Sequence, residues 1–223
     1  MKKLSLSLLG SAALILVSPI TQAQEYMFTY SKLYTQLKNN NKEGHDDVKV
    51  GVFFVDAKTK QICTIEKAWM EKEEHYEEFV IPASQELPLP VDKNLKSANP
   101  LVFIDTPKDT RCDYSLVVMT KEPLQGNVSY EQLKPLLPQM QTMLEDLGGM
   151  FAGWFTPEVQ GVTMEFANQL NDKVIFSNGT EKPIVNGKIQ VALSEIGQGG
   201  TMTLPEPTMR VLPYLPNLPN AKK

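Results

Sequence analysis

The chain has 223 residues, of which 42% are hydrophobic and 22% charged, a balance near the average for globular domains. That composition excludes a disordered chain, because the apolar surface suffices to offset the entropy of ordering. Proline at 16 outnumbers glycine at 13 and neither falls on a strict repeat, which excludes collagen and a coiled coil. At roughly 100–200 residues per domain, the length allows one large domain or two small ones.

Lys2 and Lys3 open the chain, an apolar stretch runs from Leu4 to Val17, and Pro19 and Thr21-Gln22-Ala23 follow. This is the order of a secretory signal peptide, with small residues ahead of the cleavage point. Cleavage is expected after Ala23, so that the mature, exported chain begins at Gln24. The alternative is an uncleaved anchor, but the stretch falls short of the about 20 apolar residues a membrane helix needs. Without Lys2 and Lys3, 20 of the 22 basic residues face 26 acidic ones, a net of −6. That excess argues against nucleic acid as a partner and against simple adhesion to anionic lipid. Cys63 and Cys112 are the only cysteines. In an oxidising compartment they are expected to form a disulfide, the alternative being two buried thiols. No CxxC spacing points to redox catalysis.

Tyr30, Leu33, Tyr34 and Leu37 predict a helix over residues 26–39. Strands are expected at Val48–Val55, Gln61–Trp69, Glu78–Ile81, Leu101–Asp105 and Tyr114–Thr120. Ser129 with Gln132 three places on forms a capping box, and a helix with Met140, Met143, Leu144 and Leu147 on one face starts near Pro138. Strands follow at Gly161–Ala167, Lys173–Ser177 and Lys188–Leu193. Asn178-Gly179 and Asn186-Gly187 between them predict hairpin turns and an antiparallel meander. Prolines 213, 216 and 219 recur at the three-residue turn of a polyproline helix. That tail either packs along its own domain or is offered to an aromatic groove.

The two halves align weakly. Tyr30, Leu33 and Leu37 match Tyr130, Leu133 and Leu137, and Pro107 and Tyr114 match Pro207 and Tyr214, all at an offset of 100. Gly51-Val52 and Ala57 match Gly161-Val162 and Ala167 at 110. The fold class is therefore α+β, antiparallel and β-rich. It is either two tandem helix-plus-small-sheet units or one domain with a shared core. The tandem reading divides the chain into the signal peptide (1–23), a first unit carrying the disulfide (24–122) and a second with the proline-rich tail (123–220).

Most chemistry lacks its residues. The two histidines, His45 and His75, sit in polar segments without HExxH spacing, so no metal site is expected. No GxSxG elbow, calcium loop or nucleotide loop occurs, and no cofactor is implied. Met150, Phe151, Trp154 and Phe155 lie in an apolar, glycine-rich run that is a candidate partner contact if exposed and core if buried.

The EYMFTYSKLYTQLK segment, LPEP near a basic residue and the terminal LPYLP resemble an uncharacterised family of exported gammaproteobacterial proteins, a domain of unknown function. The resemblance implies a periplasmic location and supplies no catalytic residues. Two functions are carried forward. One is a non-enzymatic binding or envelope-support protein with an envelope protein or peptide as partner. The other is a hydrolase of an envelope polymer using a carboxylate pair that includes Glu74 or Glu77.

Overall fold

The computed structural model describes residues 24–149 and 156–216. The expected signal peptide (1–23), the run from Met150 to Phe155 and Pro219 lie outside the described residues.

The first half begins with strand β1 (Gln24–Thr29), which leads directly into helix α1 (Tyr30–Leu37) and a 3-10 turn at Lys38–Asn41. The helix is thus shorter than its spacing predicts. Residues 24–29 alternate in burial with the period of a strand and pair along their whole length with another strand, so tertiary pairing overrides the local helical pattern. β2 (Val48–Asp56), β3 (Lys67–Lys72), β4 (His75–Glu78), α2 (Lys93–Ala98), β5 (Leu101–Thr106) and β6 (Cys112–Thr120) complete this half. Residues 61–66 are expected as strand but serve as a crossing between sheets, touching β2 at the Val55–Ile62 bridge. Cys63 on this crossing is disulfide-bonded to Cys112 at the start of β6.

The second half holds β7 (Asn127–Ser129), α3 (Tyr130–Leu133), α4 (Leu136–Gly148), β8 (Gly161–Glu165), β9 (Asp172–Phe176), β10 (Glu181–Ile184), β11 (Lys188–Ala192), α5 (Leu193–Ile196), β12 (Thr201–Thr203) and β13 (Arg210–Tyr214). The Ser129–Gln132 capping box forms as expected. Helix α4 starts two residues ahead of Pro138, because proline is tolerated in a first turn whose N–H groups have no partner in the helix. Asn186 and Gly187 both take positive φ, as a type I′ turn requires. The expected meander nevertheless stops there: β11 leaves the sheet and pairs with β8. Gly161 permits that approach, since a Cβ would collide with the backbone of Val191 and Ala192. The start of the tail packs along the second half as edge strand β13, where Pro213 lies opposite Val162.

The two halves are wired alike. One four-stranded antiparallel sheet runs β1-β5-β3-β4 and the other β7-β12-β9-β10. β2 pairs with β6, and β8 with β13. Where the second half lays β11 against β8, the first has the Leu87 N–H donating to the Val52 carbonyl. Registers agree too: Thr29 lies opposite Leu101, and Ser129 opposite Thr201. Tyr30 donates its N–H to the Pro100 carbonyl and Tyr130 to that of Gly200. Buried apolar side chains of both halves form a contiguous core, with β6 beside β13 and α4 packed on β2 and β6.

Candidate functional site

The inner face of the first sheet meets the core, and its outer face does not. Along the inner face, Phe28, Val102 and Met70 stand in one cross-strand row. One place along, Met27, Phe103, Trp69 and Glu78 form a row on the outer face. Trp69 and Phe103 stack there with ring centroids 5.0 Å apart. Lys67 Nζ lies 4.9 Å from the Trp69 ring centre and 5.6 Å from that of Tyr76. Tyr76 stands opposite Glu71 on this same face. Val80, just past β4, continues the register opposite Lys67, because the Phe79 N–H still donates to the Ala68 carbonyl. Met27, Tyr76 and Val80 are 59%, 53% and 89% exposed. Glu25, Glu71, Glu78 and Asp105 border the patch. Burial pushes the Asp105 carboxyl up, with the Lys67 charge opposing.

The second sheet presents the same two rows with different residues. Its inner row is Val128, Met202 and Phe176, as apolar as its counterpart. Its outer row is Asn127, Thr203, Ile175 and Glu181. The core therefore demands apolar inner rows in both sheets, whereas the fold forms without an aromatic outer row. The Met27–Phe103–Trp69 row has no aromatic counterpart in the second sheet.

A cavity of about 340 Å³ lies on the inner side of β4, lined by Met70, Leu95, Ala98 and Pro100 with His75 and Glu77. Lys72 donates to the Ala98 carbonyl at 2.6 Å beside it. A second cleft, of about 450 Å³, opens between the halves and includes Phe53, Lys60, Glu165, Asn186, Lys188 and Arg210. Glu165 receives Lys188 Nζ and Arg210 Nε, each at 2.7 Å. Burial pushes its carboxyl up, but the Lys188 hydrogen bond and the Arg210 charge outweigh this and hold it below the usual range. Arg210 also donates to the Ser84 carbonyl and lies over the Phe53 ring, so this group ties the halves together.

Of the sequence candidates, Cys63 and Cys112 are joined. His45 is not in a solvated loop: it is 1% exposed and its Nε2 lies 3.2 Å from Asp146 Oδ2. Its partner is a hundred residues away, which no local pattern reveals. Glu74 lies in the turn before β4 and Glu77 on β4, both exposed. Met150, Phe151, Trp154 and Phe155 are outside the described residues. Among the described residues no group of three or more His, Cys, Asp or Glu side chains converges as a metal site would, and no helix is long and apolar enough to cross a membrane. The outer face escaped the sequence reading, because its rows exist only once strands far apart in the chain are paired.

Fold and face together define an antiparallel α+β protein with a half-buried Trp69–Phe103 stack among exposed Met27, Tyr76 and Val80 on one of two like-wired sheets. The chain belongs to the family described as protein of unknown function (DUF2987), whose model matches residues 22–166. No curated protein and no solved structure matches it.

Proposed function

We propose that this is an exported, non-enzymatic binding protein of the periplasm, freed of its signal peptide after Ala23. It is built of two tandem units and holds a partner protein against the outer face of its first sheet. The observation that carries the reading is the contrast between two matched rows, Met27–Phe103–Trp69 and Asn127–Thr203–Ile175. Met27 is exposed and Phe103 half-buried where the second sheet has the polar Asn127 and Thr203, and Trp69, half-buried, widens the row where that sheet has Ile175. Apolar side chains left at the surface where a like-wired sheet carries polar ones favour a contact role. Aromatic and methionine side chains are also the types enriched at protein interfaces.

Charge selects the partner. Glu25, Glu71, Glu78 and Asp105 border the patch around Lys67 on the same face, so a second copy of this face is repelled and a surface with basic borders is attracted. The tandem reading is supported by the common strand order and by the shared offset of 100 in the β1–β5 and β7–β12 registers. The disulfide suits an oxidising compartment.

The test replaces the first row by its counterparts, Met27→Asn, Trp69→Ile and Phe103→Thr, and follows complex formation in envelope extracts on native gels. The wild-type chain is expected to migrate in a discrete complex, and the variant, still folded by circular dichroism, as the free chain. A variant that retains the complex overturns the reading.

A further inference from the structure

The sheet that carries the outer face ends in β4. His75 lies opposite Lys72 across a two-residue turn, and the Phe79 N–H donates to the Ala68 carbonyl. In an antiparallel ladder the main-chain groups of alternate residues face the partner strand. Those of His75, Glu77 and Phe79 therefore face β3, while the N–H and C=O groups of Tyr76 and Glu78 face away, where no strand lies among the described residues.

The matching edge of the second sheet is blunted. β10 carries Pro183, which cannot donate to an added strand, and Lys182 there is held by Glu195 at 2.7 Å. β4 carries no proline, and all four of its residues are exposed. It has the aromatic outer face on one side and, on the other, the cavity of about 340 Å³, whose apolar wall of Met70, Leu95, Ala98 and Pro100 faces Lys72, His75, Tyr76 and Glu77. A strand laid along β4 alternates its side chains between those two places. Glu71, Glu73, Glu74, Glu77 and Glu78 line the hairpin against Lys67 and Lys72, with Lys67 Nζ 3.6 Å from Glu78. These carboxylates repel a second copy of β4 and attract a cationic chain.

We infer that an extended basic segment of the partner adds to β4 as a fifth strand, its apolar side chains entering the cavity beside α2 and its basic side chains lying on Tyr76 and Glu78. This is strand addition, in which the main chain supplies affinity and alternate side chains supply specificity. The inference rests on the reading of the outer face as the contact surface.

The test uses the purified mature chain and a short fluorescent peptide of alternating lysine and leucine, with a glutamate–leucine peptide as control. Anisotropy is expected to show the lysine peptide bound at least about tenfold more tightly, the effect of a few charge pairs. Glu78→Pro, which removes an unused edge N–H, is expected to weaken binding by about tenfold. Glu78→Gln, which keeps that N–H, should lose less than about threefold. Amide exchange at Tyr76 and Glu78 slows in the complex, while His75 and Glu77 stay as they were; this readout holds even if the proline variant fails to fold. Equal binding of the two peptides, or unchanged exchange at Tyr76 and Glu78, overturns the inference. If the peptide binds with those amides unchanged and Trp69→Ile with Phe103→Thr abolishes binding, strand addition fails while the outer face stands. If that pair leaves binding intact while the amides slow, the outer-face reading fails instead.

Discussion

Phe103 and Thr203 hold the same place in two sheets of like order: Phe103 lies opposite Met27 and Trp69, Thr203 opposite Asn127 and Ile175. The chain thus contains its own control. The second sheet pairs in the same order without aromatic side chains at these places, so the first sheet's row is a candidate for a role other than folding.

The exchange of Trp69 and Phe103 for isoleucine and threonine follows from that control. It removes a stacked pair contributing about 0.5–1.5 kcal/mol beyond area, and the loss in urea denaturation is expected to stay within about 2 kcal/mol. Unfolding of the variant would show that the aromatic row is structural after all.

Removing the disulfide acts on the unfolded chain. Cys63 and Cys112 are 49 positions apart, and closing such a loop stabilises by about 4 kcal/mol in the chain-entropy model. The double alanine variant should lose a large part of that in equilibrium denaturation. β1, β3 and β5 carry neither cysteine and pair with one another independently of the bridge, so the variant should keep its strand content in circular dichroism below the transition.

Glu165 and Arg210 are partly buried and paired. Glu165→Gln strands the Arg210 charge and is expected to cost about 3 kcal/mol or more. Replacing both residues by leucine and methionine should cost less than either single change, which a double-mutant cycle reads directly.

Acid should weaken the same joints. The Lys42 hydrogen bond holds the Asp146 carboxyl low, with burial opposing it and His45 assisting, and Glu165 is likewise held low in the folded chain. A carboxylate depressed on folding contributes fully above its unfolded value of about 4. That contribution is lost as pH falls through the folded value. Denaturation midpoints are expected to be level near neutrality and to fall below about pH 4, less steeply in Asp146→Asn.

Tyr114 makes the opposite case. Its hydroxyl is buried among Phe28 and Phe54 without a hydrogen-bond partner, and burial pushes its pKa up to about 12. An unsatisfied buried hydroxyl costs about 1–3 kcal/mol, so Tyr114→Phe is expected to raise stability by about 1 kcal/mol. A loss would mean that the hydroxyl has a partner in solution.

Features set within a few residues were legible in the sequence. The Ser129 capping box, the helical face of Met140 and Met143, and the Asn186-Gly187 turn all lie in one window of chain. The Cys63–Cys112 pairing was legible because no other partner exists. Features set by pairing across the chain were not. The aromatic spacing of residues 26–39 hides a strand, since Gln24–Thr29 becomes one only against β5. His45 reads as a loop residue until α4 brings Asp146 to it. The outer row joins positions 27, 69 and 103, which no periodicity connects. The offset of 100 was visible in Tyr30 and Tyr130, yet the matched sheets became evident only from strand order.

Site-specific photocrosslinking in living cells tests the central claim most directly. A benzophenone side chain is placed in turn at Met27, Val80, Asn127 and Ile175. The account predicts one discrete protein adduct from Met27 and Val80, competed by the lysine–leucine peptide, and none from Asn127 or Ile175. Equal adducts from both sheets, or adducts from the second alone, would contradict it.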